Sequence, residues 1–309
     1  MLPLICKKYA KPAETQLDLI GNAPMLRISR LTAALNPQVS IFAKIERSNP
    51  GGSVKDRAAF RMIEDAEKAG LLTHDKTILD STSGNTGIAY AMIGAVKGYR
   101  VKIVLPENAS IERKKIMTAF GAELVYSSPF EGADGAIRLA KKLLRDEPSR
   151  YYQPDQYNNP SNWKAHYCST GPEIIAQTAG SVTHFVACVG TGGTVMGAGK
   201  ALREHNPAIR VLSVHPDNEM HGIEGLKYLG DGAIIPGIFD THFPDEQLFV
   251  NTETAYDMTK RLAREQGLFV GHSSGAAFSA ALTVAEKLDQ GIIVVMFPDC
   301  GDRYLSKEV

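Results

Sequence analysis

Lys55 and three loops rich in glycine and hydroxyl side chains carry the chemistry legible in this sequence of 309 residues. Lys55 sits in Ser48-Asn49-Pro50-Gly51-Gly52-Ser53-Val54-Lys55-Asp56-Arg57, which follows a strand-like run and opens a helical one. Asn-Pro-Gly-Gly is turn chemistry. With Ser53 as the helix N-cap and Asp56 at the third helical position, a capping box is expected, and Lys55 falls in the first helical turn. A lysine there opposes the positive end of the helix dipole, which costs a few tenths of a kcal/mol to about 1 kcal/mol. The same field lowers its pKa by disfavouring the ammonium form. An amine so tuned suits imine formation with an aldehyde cofactor. The competing reading is a surface lysine after a turn.

Ser81-Thr82-Ser83-Gly84-Asn85-Thr86-Gly87 again joins a strand to a helix. Its hydroxyls exceed what capping needs. With free backbone N–H groups they suit a carboxylate or phosphate. Val189-Gly190-Thr191-Gly192-Gly193-Thr194-Val195-Met196-Gly197 repeats the pattern as a phosphate cradle. It lacks the Gly-Lys-Ser/Thr of a nucleotide P-loop. It is also a poor dinucleotide fingerprint, because the next strand-like run, 210–214, leads into His215 and no acidic residue. Gly271-His272-Ser273-Ser274-Gly275 superficially resembles a nucleophile elbow, but no histidine follows His272, which argues against a hydrolase.

These loops need elements to position them. Strands are expected at 41–46, 77–80, 101–105 and 122–126, with helices at 54–70, 86–97, 110–120 and 132–145 between and after them. A second series places strands at 183–189, 210–214 and 292–297, and helices at 194–205, 253–266 and 275–287. Such alternation predicts an α/β protein of two doubly wound lobes with mostly parallel sheets. The lobes divide near 150–182, and 215–244 is the longest irregular stretch. Ligands of open α/β sheets bind at the carboxyl ends of the strands, where all the loops above fall.

Composition narrows the classes. Lys+Arg and Asp+Glu each total 34, a net charge of zero, which gives no basic footprint for nucleic acid or an anionic membrane. Apolar residues at 44 % and charged residues at 22 % fit a globular protein, not a disordered chain. No apolar run is long enough to span a bilayer. Cys6, Cys168, Cys188 and Cys300 form no C-x-x-C pair and no zinc spacing, so no metal centre and no disulfide framework is expected. The opening Met-Leu-Pro-Leu-Ile-Cys-Lys-Lys has neither an h-region nor a cleavage site. Inert thiols in a reducing cytoplasm are the expectation.

With the four loops assembled, the chain resembles the cysteine synthase family of pyridoxal-phosphate enzymes, the β-family of fold type II. The resemblance covers nearly the whole length. It opens at Leu19-Ile20-Gly21-Asn22-Ala23-Pro24-Met25, runs through the Lys55 and Thr82–Gly87 loops, and ends at Asp302-Arg303-Tyr304-Leu305-Ser306. It implies a smaller mobile lobe at 47–155, with 1–46 and 156–309 forming the larger one. It implies that Lys55 holds pyridoxal 5'-phosphate as a Schiff base and later serves as acid and base. Asn85 would meet the ring 3-oxygen and Ser273 the pyridine nitrogen. Gly190, Thr191, Gly192, Gly193 and Thr194 would cradle the phosphate. Thr82, Ser83, Thr86 and Gln156 would grip the substrate carboxylate.

The implied reaction is β-replacement on O-acetyl-L-serine or O-phospho-L-serine, through an α-aminoacrylate attacked by a sulfur nucleophile, to give L-cysteine. A serine opposite the ring nitrogen makes a weaker electron sink, which suits β-elimination better than transamination. The family also implies a homodimer, with sulfide, thiosulfate or a small sulfur-carrier protein as donor. One departure stands out. In His221-Gly222-Ile223-Glu224-Gly225-Leu226-Lys227-Tyr228, Lys227 takes about the place of a glycine, and a cation there favours a phosphate leaving group. Ser81 replaces a common Pro or Ala without an evident reason. His221 and His272 read as structural, and Tyr157 and Trp163 as cleft or junction packing. The chain stops at Val309, so no C-terminal lid is expected. Cystathionine β-synthase, or another β-replacing amino-acid synthase, is the alternative within the fold.

Overall fold

The computed structural model describes residues 12–230 and 232–306. Cys6, the opening apolar segment and Val309 lie outside the described residues. The chain begins with β1 (Met25–Ile28) and β2 (Val39–Ile45), then α1 (Lys55–Lys68). Next come β3 (Thr77–Ser81), α2 (Asn85–Lys97), β4 (Arg100–Pro106), α3 (Ile111–Ala119), β5 (Glu123–Ser127), α4 (Gly132–Asp146) and β6 (Tyr151–Tyr152). Two helices follow, α5 (Pro160–Cys168) and α6 (Thr170–Gln177). The rest is β7 (His184–Cys188), α7 (Gly193–His205), β8 (Arg210–Pro216), β9 (Glu246–Val250), α8 (Thr252–Gln266), α9 (His272–Ala285) and β10 (Gly291–Phe297).

The strands form two sheets. One has the order β1-β2-β10-β7-β8-β9, the other β5-β4-β3-β6. Every pairing is parallel except β1 with β2. β10 lies inside its sheet, and six of its seven residues are buried. Its Gly-Ile-Ile-Val-Val-Met-Phe run is the continuous apolar signature of a parallel strand covered on both faces. α8 and α9 cover one face of the larger sheet, and α7 packs on the other. α1, α2 and Leu17 build the core on one face of the smaller sheet, and α4 packs on the other.

The expected strands and helices are present within a few residues. Three differences matter. The stretch 150–182 is not a bare separator: it folds into α5 and α6. α5 begins with Asn159 accepting from the Ser161 N–H, and Pro160 at the first position, a start signal that its weak apolar periodicity hid. α9 starts at His272, three residues before Gly275, which places Ser273 and Ser274 inside a helix. β1 and β9 are short strands with exposed positions, too brief to read from alternation.

A buried ionic cluster binds the larger sheet to α1 and α6. Lys44 is fully buried and donates to Glu173 Oε2 at 2.6 Å. The Arg57 guanidinium donates to both Glu46 oxygens, at 2.7 and 2.9 Å, and to both Glu173 oxygens, at 2.7 and 2.8 Å. Burial alone would raise the Glu173 pKa, but the hydrogen bonds and charges of Arg57 and Lys44 hold it at about 2. Its ionised form therefore contributes stability above the ordinary glutamate pKa. That contribution is lost as pH falls from about 4.5 towards about 2. Glu173→Ala is expected to destabilise the protein by about 3 kcal/mol at neutral pH, because it leaves the buried Lys44 ammonium without a carboxylate and Arg57 with Glu46 alone. Glu173→Gln should flatten the acid limb of stability against pH. Urea unfolding between pH 2 and 7 measures both.

Candidate active site

Each chemistry-bearing loop sits where a strand ends and a helix begins, and the structure gathers them around one cleft. Lys55 is the first residue of α1, and its backbone N–H donates to Ser53 Oγ at 3.3 Å. The expected capping box does not form. Val54 occupies the N-cap position, and the Asp56 carboxylate turns back to accept from the Gly51 N–H at 2.6 Å. Burial pushes the Asp56 carboxyl up to about 7, against that hydrogen bond and the nearby Arg303 charge. Gly52 has φ +81°, and a Cβ there would lie 2.1 Å from Arg303 Nη2, so this turn accepts only glycine. The Lys55 pKa is lowered, the direction expected, but the helix field expected to lower it is not the cause. The first cause is burial of the amine, opposed by the Asp299 and Cys188 charges.

β3 delivers the second loop. Gly84 is the N-cap of α2, in extended backbone. The Thr82 hydroxyl accepts from the Gly84 N–H at 3.2 Å. Thr86, in the first turn, donates its hydroxyl hydrogen to Gln156 Oε1 at 2.9 Å, and both residues are buried. The first N–H groups of α2 have no intrahelical acceptor and face the same loop.

β7 delivers the third. Gly192 caps α7 with φ +84°, and a Cβ there would lie 2.5 Å from the Phe239 ring. The helix can start so abruptly only on glycine. Asn162 of α5 donates to Thr191 Oγ1 at 3.1 Å and to the Gln156 carbonyl at 2.7 Å. His166 of α5 meets the Thr194 hydroxyl through Nε2 at 3.3 Å and Thr170 Oγ1 through Nδ1 at 2.9 Å. Burial, then the Arg57 and Lys55 charges, lower its pKa to about 3, so it orients Thr194 as a neutral ring.

The cleft has a volume of about 460 Å³ and is bordered by Lys55, Ser81, Thr82, Ser83, Asn85, Thr86, Gln156, Gly190, Thr191 and Lys227. An adjoining pocket brings Lys55 and Asn85 together with Cys188, Thr194, Ser273 and Asp299. Gly192 and Gly193 stand behind Thr191 and Thr194 as the start of α7. Ser273 lies in the first turn of α9, where its carbonyl accepts from Cys188 Sγ at 3.2 Å. Burial drives the Cys188 thiol far above its ordinary range. Cys188 and Cys300 are half-buried, and Cys168 is exposed.

Lys227 faces the cleft, its Nζ 5.0 Å from the centre of the Tyr157 ring. Burial lowers its pKa against the Asp134 charge. His272 is wedged between the Tyr256 and Tyr304 rings, at 4.0 and 4.9 Å, and burial first lowers its pKa to about 4. It packs as a neutral ring. His221 is half-buried, and burial first lowers its pKa also. Trp163 packs edge-on against Tyr167, with Lys200 above it.

Sequence reasoning missed several polar partners. Asn162 and His166 came with α5. Asp299, Arg303 and the Arg113–Glu224 ion pair come from distant segments. The Pro298-Asp299-Cys300-Gly301 turn after β10 was a readable signal, since it too is a strand end.

The comparisons with known proteins agree with this geometry. Residues 16–299 match the family described as pyridoxal-phosphate dependent enzyme. A protein of Aquifex aeolicus named cysteine synthase is 50 % identical over 303 residues, covering 96 % of this chain and 92 % of its own. Cysteine synthase B of Pseudomonas aeruginosa is 43 % identical over 295 residues, covering 96 % and 97 %. The crystal structure of a cysteine synthase from Entamoeba histolytica superposes with a TM-score of 0.93 at 37 % identity, covering 97 % of this chain and 91 % of that one. The parallel two-sheet fold, the lysine at the start of α1 and the glycine cradle at the start of α7 thus have a common explanation: the chain belongs to the pyridoxal-phosphate dependent enzymes.

Proposed function

We propose that this chain is a cysteine synthase, replacing the β-substituent of O-acetyl-L-serine, or O-phospho-L-serine, with sulfur to give L-cysteine. The observation that carries the reading is the position of Lys55. It stands in one cleft with the anion-binding start of α2, and in the adjoining pocket with Thr194 of α7. The two named relatives above support it.

The residues present fit the cofactor. A buried, pKa-lowered amine suits its aldehyde. The start of α7 with the Thr191 and Thr194 hydroxyls suits its phosphate. Asn85 and Ser273 border the same pocket, as the ring's two polar positions require. Once bound, pyridoxal phosphate supplies an electron sink for negative charge at the substrate Cα.

The protein does the rest. Lys55 Nζ would hold the cofactor through its aldehyde, and the same amine would accept the substrate Cα proton and later return it. The Thr82 and Ser83 hydroxyls, with the α2 N–H groups including that of Thr86, would hold the substrate carboxylate, and Gln156 Oε1 accepts the Thr86 hydroxyl hydrogen and fixes that residue. In the net reaction the Cβ–O bond breaks, acetate or phosphate leaves, and a Cβ–S bond forms. The smaller lobe, 47–155, closes on carboxylate capture and excludes water. The Arg113–Glu224 pair already links it to the loop that holds Lys227. Lys227 at the cleft favours a phosphate leaving group. A homodimer, a cytoplasmic location and a sulfur-carrier donor belong to the same reading. Among the described residues no helix is long and apolar enough to cross a membrane.

Lys55→Ala should reduce kcat with O-acetylserine by about 10³-fold or more, the scale of a lost general base, and should displace the visible band of the loaded protein. Steady-state assay and absorption spectroscopy check it. Lys227→Ala should lower kcat/KM for O-phosphoserine by roughly tenfold or more, the loss of one charge-assisted contact, while O-acetylserine turnover stays within about threefold. Equal effects on both substrates would remove Lys227 from leaving-group recognition.

A further inference from the structure

The turn that follows β10 reaches back across the cofactor pocket. Asp299 is 1 % exposed. Its Oδ2 accepts from Asn85 Nδ2 at 2.7 Å and from the Tyr304 hydroxyl at 2.6 Å. On the other side of the same amide, Arg303 Nη1 donates to Asn85 Oδ1 at 2.7 Å, and Arg303 Nη2 donates to the Gly51 carbonyl at 2.6 Å. A free asparagine amide has two nearly equivalent orientations. Here its oxygen faces a guanidinium and its nitrogen a carboxylate, so only one satisfies both neighbours.

The amide nitrogen carries two hydrogens and spends one on Asp299. The second is uncommitted among the described residues. Asn85 lies in both the cleft and the adjoining pocket, beside Lys55. The other Asp299 oxygen, Oδ1, is buried without a hydrogen-bond partner. A buried, half-satisfied carboxylate is a costly thing to keep for structure alone.

We propose that Asp299 is a positioning residue of the cofactor site. It locks the Asn85 amide so that its second N–H is presented to bound pyridoxal phosphate. It orients the cofactor through Asn85 and touches no reacting atom, while its charge also acts on Lys55. The proposal rests on the cysteine synthase reading only for the identity of the cofactor.

The test is a double-mutant cycle read by cofactor binding. Wild type, Asp299→Ala, Asn85→Ala, the double variant and Asp299→Asn are purified loaded, stripped of cofactor and titrated with pyridoxal phosphate. The visible band of each reloaded protein and the melting temperature of each stripped one are recorded. Asp299→Ala and Asn85→Ala are each expected to weaken binding about tenfold, the worth of an oriented hydrogen bond. The double variant should be no more than about twofold weaker than Asn85→Ala, because residues acting as one unit are not additive. Asp299→Asn keeps an acceptor for the Asn85 amide and for Tyr304, so its affinity and band position should return to near the wild-type values. Melting temperatures should not follow this order.

Additive losses in the double variant overturn the proposal, as does an Asp299→Ala protein that binds as wild type does. Should Asp299→Ala fail to fold, Asp299→Ser replaces it in the same cycle, since its shorter hydroxyl cannot reach Asn85. Failure of the wild-type protein to take up pyridoxal phosphate would overturn the cysteine synthase reading itself, and this inference with it.

Discussion

The position of Lys55 depends on a guanidinium two residues further along the same helix. Arg57 is buried between Glu46, just past β2, and Glu173 of α6, and it donates to all four carboxylate oxygens. A buried cation tolerates little displacement, because losing any partner leaves charge in a low dielectric. The first turn of α1 is thereby pinned to the larger sheet. The Val54 N–H, which donates to the Pro298 carbonyl at 2.8 Å, ties the same turn to the end of β10. The amine thus rests on rigid elements and not on a loop.

Around it the fold reuses one device. A parallel strand ends, glycine and hydroxyl residues turn the chain, and a helix starts whose positive dipole end lies at the cleft. α2 and α7 both do this, and in the proposed function they serve two different anions. The helices bring partial positive charge to the sites proposed for carboxylate and phosphate, while burial lowers the pKa of Lys55 and Lys227. Burial works on the acids as well. Asp80, at the end of β3 just before the carboxylate loop, is pushed up to about 7 despite its hydrogen bond from the Ser81 N–H. The same low dielectric that strengthens anion binding sets these shifts.

Second-layer side chains give the loops their shape. Asn162 joins the Thr191 loop to Gln156, and Gln156 holds Thr86, so the starts of α7 and α2 are linked by three hydrogen bonds through α5. His166 and Asp299 do similar work for Thr194 and Asn85. Apart from the Asn162–Gln156 bond, which spans six positions, none of these contacts is local. The residues the others join stand 28, 29, 70 and 214 positions apart.

The alternation of apolar runs with helical patterns was enough to predict parallel sheets, since strands covered on both faces read as continuous runs such as 291–297. Turn glycines and hydroxyl clusters marked each strand-to-helix loop, because only those residue types meet the local backbone and donor requirements. Lys55 and the two helix-start loops were therefore legible as candidates in short segments. Tertiary structure decided what short segments cannot. It turned Asp56 away from its capping box to serve Gly51, and it began α9 at His272. It brought Lys227 to the cleft and placed Asn162, His166, Asp299 and Arg303 behind the site. Those outcomes depend on which distant atoms become neighbours, and on how much water is lost when they do. Periodicity and turn chemistry report neither.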